Sequence, residues 1–289
     1  MLSLFGGDDL EKLTATVSDL SGEIKIRDYL TRLGFSTSLI AKVKAGGVFI
    51  NGENVHMRAM VRNGDTVSIT MPKEDSENIP PINIPLEILF EDERILVVNK
   101  PRNMPIHPSR GNSLPTLANA VRAYLDRPFV FRCITRLDRD TSGVVLIAKD
   151  RLSAAILSRA MKAGAIKKTY LARVVGIPTP SDGRISAPIE RESEGGIKRV
   201  VREGGKPSVT EYKTLSADAD SAILEVTPIT GRTHQIRVHM SYIGHPLVDD
   251  FLYGERREGD TYRLHCARLE FPHPDDGRIV VATSENPDI

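Results

Sequence analysis

Cysteine is scarce in this sequence, with only Cys133 and Cys266 among 289 residues. Two thiols cannot supply a tetrathiolate zinc site, and a disulfide framework needs more of them. We therefore expect two single, buried thiols.

A strong net charge and a long apolar run are absent as well. The formal net charge is +1, so any binding of nucleic acid has to come from local basic patches. No segment approaches the roughly 18 apolar residues of a membrane span, and no basic leader precedes an apolar run at the N-terminus. We expect a cytoplasmic protein without a membrane partner, and we take it to be a monomer.

Several common catalytic motifs are missing. The sequence has no GxSxG, GxxxxGK or GxGxxG pattern, which argues against the usual hydrolases, nucleotidases and dinucleotide enzymes. His234 and His239 are five residues apart on an expected helix, so they point in different directions, and no HExxH pattern completes a metal site. We predict neither a metal nor a cofactor.

The most informative stretch is 133–150, CITRLDRDTSGVVLIAKD. Its apolar run 144–148 is β-branched and too short for a buried helix, which predicts an interior strand. The loop before this strand holds two carboxylates and two guanidiniums, on Arg136, Asp138, Arg139 and Asp140. Arginine can grip a carboxylate bidentately. One anchored aspartate could then perform chemistry, and an ordinary charged turn is the alternative.

Composition divides the chain into four parts: an arm (1–16), a small module (17–72), a charged, proline-rich linker (73–85) and a larger domain (86–289). The module predicts two short helices separated at Gly34, followed by strands, and carries a local excess of basic residues.

The larger domain predicts a hairpin followed by a mixture of helices and strands. Helices are expected at 116–125, 151–164 and 234–243, and strands at 166–176, 209–215, 222–227, 264–271 and 279–282. Residues 177–208 are rich in glycine, proline and charge, so we expect an irregular excursion there. Tyr170 follows two lysines and is read either as a core aromatic or as a platform for a nucleobase. The strand-to-helix turn that begins at Thr230 is a suitable place for binding an anion.

Four stretches in this order resemble the RluA-type family of RNA pseudouridine synthases: EDERILVVNKP, RLDRDTSGVVLIAKD, KKTYLARVVG and TPITGRTHQIRVHMSYIGHPL. The module resembles the alpha-L RNA-binding motif through IRDYLTRLGFSTSLIAKVKAGGVFINGENV and RNGDTVSI. The resemblance implies an α+β fold with a central mixed, mainly antiparallel sheet flanked by helices, and a small α/β RNA-binding module in front. It also implies isomerisation of uridine to pseudouridine in RNA without a metal or cofactor.

The resemblance assigns roles residue by residue. Asp138 matches the essential catalytic aspartate, Tyr170 matches the tyrosine that packs on the target base, and Arg237 matches the arginine that pairs with the aspartate. Arg136 matches an arginine that fills the space left by the flipped nucleotide. The further expected RNA contacts, which would otherwise be solvated side chains, are Lys168, Arg232 and His234 in the larger domain and Arg27, Arg32, Lys42 and Lys44 in the module.

Two positions depart from the family pattern. Thr135 stands where members commonly have histidine, and Asp249 stands where they commonly have glycine, which suggests an altered turn. Neither departure removes a residue of the expected chemistry.

The module favours ribosomal RNA as the substrate, because a separate anchoring domain suits a large folded RNA. Transfer RNA is the alternative substrate. A catalytically silent RNA-binding or ribosome-assembly factor is the alternative class.

Overall fold

The structure, a computed structural model, describes residues 2–6, 10–72, 79–108, 115–127, 129–255, 261–285 and 289. Within these ranges the helices are α1 (Ile26–Arg32), α2 (Thr37–Gly46), α3 (Leu117–Leu125), α4 (Arg151–Lys162) and α5 (Gln235–Tyr242). The strands are β1 (Leu2–Gly6), β2 (Leu10–Thr16), β3 (Ile24–Lys25), β4 (Val48–Ile50), β5 (Glu53–Asn54), β6 (Met60–Val61), β7 (Thr66–Pro72), β8 (Glu87–Glu91), β9 (Ile95–Lys100), β10 (Arg132–Cys133), β11 (Ser142–Ala148), β12 (Lys167–Val175), β13 (Asp182–Ser186), β14 (Ile189–Arg191), β15 (Arg199–Val201), β16 (Val209–Ala217), β17 (Ser221–Pro228), β18 (Leu264–Pro272) and β19 (Ile279–Thr283).

The N-terminal part of the chain builds its own sheet, in the order β1-β2-β7-β4-β5, and α2 packs against β7. The helices α1 and α2 are separated at Gly34, as the sequence predicts. Strand β2 pairs with β7 from Leu10↔Pro72 to Thr16↔Thr66, so the residues that we assigned to an arm are hydrogen-bonded to the module. The domain boundaries themselves stay predictions, and residues 73–78 of the expected linker lie outside the described ranges.

A larger mixed sheet follows the order β13-β16-β17-β12-β18-β11-β9-β8, with β10 on β11 and β19 on β18. Among its described strands, β11 and β18 run parallel and the other pairs are antiparallel. All seven residues of β11 are buried, which confirms the interior strand predicted from its β-branched run. With helices packed beside this sheet, the predicted α+β class is confirmed.

The parallel pairing of β11 and β18 depends on Gly143. A Cβ built on Gly143 would lie 2.3 Å from the carbonyl oxygen of Cys266, and its φ is +112°. Only glycine accepts both the conformation and the close approach. Gly143 therefore fixes the point where the loop that carries Asp138 enters the sheet.

Residues 177–208 do not form the irregular excursion that we expected. They contain β13, which pairs with β16 at the edge of the large sheet, and the separate β14–β15 ribbon. The expectation is wrong because such short strands contain too few residues for an alternating pattern to stand out among glycine and proline.

The two sheets meet at α4. Leu152 of α4 is 2% exposed and belongs to the apolar cluster of the N-terminal module rather than to that of the large sheet. A Cβ built on Gly34 would lie 2.5 Å from Cγ1 of Ile156 on the same helix. The module is therefore packed directly on α4. Among the described residues, no helix is long and apolar enough to cross a membrane.

Candidate active site

The loop that carries Asp138 is fixed by a buried lysine at the end of β9. Lys100 has 0% exposure, and its Nζ donates to the carbonyl oxygens of Pro101, Met104 and Arg139 at 2.8, 2.9 and 2.9 Å. Three acceptors match the three N–H groups of an ammonium. Burial lowers the pKa of Lys100 to about 7, while the carboxylates of Asp140 and Asp138 oppose this shift.

Arg139 and Asp140 form the bidentate pair that the sequence suggested for this loop. Nε and Nη2 of Arg139 donate to the two oxygens of Asp140 at 2.9 and 2.8 Å. Asp140 is buried, so this pair anchors the loop. Asp138 takes no part in it, and its carboxylate is left for other partners.

The carboxylate of Asp138 is about one third exposed and faces α5. Its Oδ2 lies 3.9 Å from Nε2 of His234 and 4.0 Å from Nη1 of Arg237. Both groups approach the same carboxylate oxygen. A partly exposed carboxylate next to a buried cation is suited to proton transfer or nucleophilic attack on a bound ligand.

Arg237 is held by a second, fully buried carboxylate. Its Nε and Nη2 each donate to Asp250 at 2.7 Å, and Arg237 is only 3% exposed. Burial opposes the charge, but the Asp250 hydrogen bonds, together with the nearby Asp138 carboxylate, hold the pKa of Arg237 above its ordinary value. The guanidinium carbon also lies 4.1 Å from the ring centroid of Tyr262 and 4.9 Å from that of Tyr253. These contacts orient Nη1 toward Asp138.

Tyr170 lies on β12, between β17 and β18, and is 7% exposed. Burial raises its pKa well above the ordinary value, and the nearby Cys266 and Asp138 add to the shift. The ring is therefore buried in its neutral form, near enough to Asp138 to feel its charge.

The other residues predicted to bind RNA lie in separate places. Arg136 and Arg232 are exposed in the larger domain, and Lys168 is half-buried. Burial lowers the pKa of Lys168, and the nearby thiols of Cys266 and Cys133 oppose this shift. In the N-terminal module Arg27, Arg32 and Lys42 are exposed on α1 and α2. The side chain of Lys44 lies outside the described part of the structure. The geometry thus brings Asp138, Tyr170, Arg237 and His234 together.

Thr135 and Asp249 have local structural explanations. The buried hydroxyl of Thr135 accepts a hydrogen bond from the backbone N–H of Leu146 at 2.9 Å, so it ties the loop to β11. Asp249 has a φ of +63°, a conformation in which glycine has no steric cost. Its buried Oδ1 has no hydrogen-bond partner among the described residues.

Sequence reasoning missed the residues that support this site: Lys100, Asp250, Tyr253 and Tyr262. The pairing of Asp250 with Arg237 bridges a helix and a loop, so no local pattern reveals it. The run DDFLYG offered one usable signal, because an aspartate before aromatics often caps a turn. Asp250 does so by accepting from the N–H groups of Leu252 and Tyr253 at 3.0 and 3.2 Å.

The histidines that suggested a metal make hydrogen bonds to protein groups. His239 contacts Thr210 Oγ1 and the Ala187 carbonyl, and His265 contacts Ser142 Oγ and the Ser284 carbonyl. Within the described ranges, no group of three or more histidine, cysteine or acidic side chains is arranged to hold a metal ion.

Comparison with known proteins agrees with this geometry. Residues 94–242 match the family model described as RNA pseudouridylate synthase. The chain is 40% identical to an uncharacterized RNA pseudouridine synthase of Bacillus subtilis, YjbO, over 86% of this chain and 90% of that protein. It is 35% identical to the ribosomal large subunit pseudouridine synthase D of Xanthomonas campestris, over 88% and 82% of the two chains.

Solved structures show the same fold. Human RNA pseudouridylate synthase domain containing 1 superposes with a TM-score of 0.62 at 31% identity, covering 71% of this chain and 85% of that one. Fold and sequence together define an RNA-modifying isomerase. The chain belongs to the RluA-type family of RNA pseudouridine synthases, and it is an enzyme that isomerises uridine to pseudouridine in RNA.

The environment of Lys100 makes a prediction about stability and pH. Its pKa in the folded protein, about 7, lies below the ordinary 10.5, so between these values the unfolded chain binds more protons than the folded chain. The contribution of Lys100 to the free energy of unfolding therefore rises with pH in this window, by up to about 1.4 kcal/mol per pH unit. Lys100→Met lacks this contribution.

Urea unfolding of both proteins at pH 7, 8 and 9 measures the effect. We expect the free energy of unfolding of the wild type, relative to Lys100→Met, to increase with pH. A difference that stays constant from pH 7 to 9 would contradict the assignment. Lys213→Met, at an exposed position on β16, serves as the control and should give a constant difference.

Proposed function

We propose that this enzyme modifies ribosomal RNA, with Asp138 as its essential carboxylate and Tyr170, Arg237 and Arg136 as further site residues. The observation that carries the proposal is the position of Asp138: a carboxylate about one third exposed, near a buried tyrosine, with a buried arginine 4.0 Å from one of its oxygens.

The reaction requires an ionised Asp138. The enzyme breaks the glycosidic bond of a uridine, rotates the base and rejoins it through carbon, and Asp138 either attacks the sugar or removes a proton from it. Both steps need the carboxylate. Arg237 lies 4.0 Å from it, so its positive charge stays beside Asp138 when a bound nucleotide excludes water.

The target base must leave its stack to reach Asp138. Extrusion costs a few kcal/mol, which stacking and phosphate contacts have to offset. Arg136 and Arg232, which are exposed, and His234 and Lys168, which are partly buried, are proposed to supply part of these contacts. Tyr170 would support the uracil from below.

Ribosomal RNA is favoured over transfer RNA by two observations. Two relatives, from Xanthomonas campestris and Neisseria meningitidis, are named ribosomal large subunit pseudouridine synthase D, and each is 35% identical to this chain. The N-terminal module also presents exposed basic residues, Arg27, Arg32 and Lys42, which could bind phosphates of a large RNA in addition to those bound by the larger domain. Lys44 on α2 belongs to the same proposed surface. We also propose that the enzyme is cytoplasmic and acts as a monomer.

Asp138→Asn is expected to abolish turnover, because the amide has the shape of the carboxylate but neither attacks the sugar nor accepts its proton. The measurement is tritium release from RNA labelled at carbon 5 of uridine, on ribosomal and transfer RNA from a strain lacking this protein. RNA affinity should stay within about twofold of the wild type, since the amide changes little of the surface.

Asp220→Asn, an exposed aspartate on the turn before β17, is the matched control and should retain turnover. Near-wild-type release by Asp138→Asn would refute the role of Asp138. Release from transfer RNA alone would refute the choice of ribosomal RNA.

The double variant Arg27→Ala, Lys42→Ala tests the module. If both side chains contact phosphates, RNA binding should weaken and the slope of log affinity against log salt should fall by about 1–2. Filter binding between 50 and 300 mM salt measures the slope. Exposed Lys213→Ala is the control, and a double variant with an unchanged slope would contradict an RNA-binding role for these residues.

A further inference from the structure

His234 stands beside Asp138 at an unusual place in the chain. It is the residue before α5 and has a φ of +57°, in the left-handed region that non-glycine residues seldom occupy. The strain of such a conformation persists only where surrounding contacts maintain it. The contacts of His234 therefore hold it in this conformation.

Tyr253 joins His234 to the backbone of β15. The N–H of Arg199 donates to the hydroxyl oxygen of Tyr253 at 2.9 Å, and this hydroxyl lies 2.7 Å from Nδ1 of His234. Because the phenol oxygen already accepts from Arg199, its own proton is available for Nδ1. The reverse arrangement would place two donors on one oxygen and leave the phenol proton without an acceptor among the described residues.

The direction of that hydrogen bond decides the tautomer of a neutral histidine. If Nδ1 accepts from Tyr253, the ring proton is on Nε2. Nε2 is the nitrogen that lies 3.9 Å from Oδ2 of Asp138. In this tautomer an N–H dipole faces the carboxylate, whereas the other tautomer would turn a lone pair toward a negative oxygen.

We propose that Tyr253 is a positioning residue, which holds His234 as the tautomer protonated on Nε2 so that its N–H faces and stabilises the Asp138 carboxylate. The proposal rests on the proposed role of Asp138. It adds a function to His234 that does not require contact with RNA phosphates.

The surrounding charges agree with a neutral ring and a neutral phenol. The titratable and charged groups near His234 are Asp138 on its loop, Arg237 on α5, Arg199 on β15, and Asp250 and Tyr253 on the turn after α5. Burial lowers the pKa of His234; Asp138 opposes this, and Arg237 and Arg199 add to it. Burial raises the pKa of Tyr253 to about 12, so its hydroxyl keeps the proton that it donates.

Tyr253→Phe separates this role from simple packing. Without the hydroxyl, neutral His234 is free to carry its proton on either nitrogen, and we expect kcat at pH 8 to fall about tenfold or more. Below the pKa of His234 the ring carries protons on both nitrogens, so Nε2–H is restored. At a pH below the pKa of His234, which the pH dependence of its histidine spectrum locates, the variant should recover toward the wild-type kcat, while the ratio stays near one for the control Tyr242→Phe, an exposed tyrosine on α5.

The tautomer itself is read without turnover. Two-bond proton–nitrogen correlation spectra of protein labelled with ¹⁵N-histidine distinguish Nε2–H from Nδ1–H, and the signals of His234 are those missing in His234→Asn. We expect Nε2–H in the wild type and a mixture in Tyr253→Phe at pH 8. Because these spectra do not depend on catalysis, failure of the Asp138 assignment and failure of the tautomer assignment give different results.

Three outcomes would overturn the proposal. The first is Nδ1–H in the wild-type protein. The second is a loss of kcat in Tyr253→Phe that is the same above and below the measured pKa of His234, because loss of packing does not depend on the protonation of His234. The third is a changed tautomer with unchanged kcat.

Discussion

The ion pair of Arg237 and Asp250 is the interaction on which the site depends. A charged guanidinium and a carboxylate that are both almost without solvent contact would each cost several kcal/mol if unpaired. Two hydrogen bonds between them and two further backbone donors to Asp250 offset that cost. The same contacts fix Arg237 from α5 next to Asp138, and they shape the turn that places Tyr253 against His234. One buried carboxylate therefore positions both neighbours of Asp138.

The loop of Asp138 depends on a second set of constraints, within the sheet. Lys100 at the end of β9 holds three carbonyl oxygens of the surrounding backbone, and Gly143 lets the loop enter β11 in direct contact with β18. Residues far apart in sequence, such as Lys100, Asp138 and Tyr170, meet because β9, β11, β18 and β12 are adjacent in the large sheet. Rigid strands thus hold groups that a loop alone would leave poorly oriented.

The sequence predicted the elements whose residues repeat regularly. The strand β11 and the helix α3 could be predicted from the sequence, because burial of regular elements leaves a recognisable pattern of apolar residues. In β11 this pattern is a continuous apolar run, and in α3 it is one periodic apolar face. The short strands β13 to β15 were not visible, because three to five residues give no usable period. The sequence also indicated a carboxylate–guanidinium pair in the loop before β11, but the charges alone did not tell which aspartate is paired.

The supporting contacts of the site were beyond sequence reasoning for a physical reason. Arg139 pairs with Asp140, whereas Asp138 contacts residues of α5 and its N-terminal end. This pairing follows from the geometry of the turn and not from the order of the charges in the sequence. Likewise, Asp250 reaches Arg237 only after α5 and the following turn have packed. Resemblance to a family supplied the residues that are proposed to surround the substrate, whereas the residues that position them required the coordinates.

The central claim is that Asp250 positions Arg237 for Asp138, and turnover by Asp250→Asn tests it most directly. The amide preserves the shape of the side chain but removes the charge that keeps the buried guanidinium in place. With 5-tritiated ribosomal RNA as substrate, the account predicts that kcat falls by about a hundredfold while RNA affinity is retained. A folded Asp250→Asn enzyme with the kcat of the wild type would contradict the account.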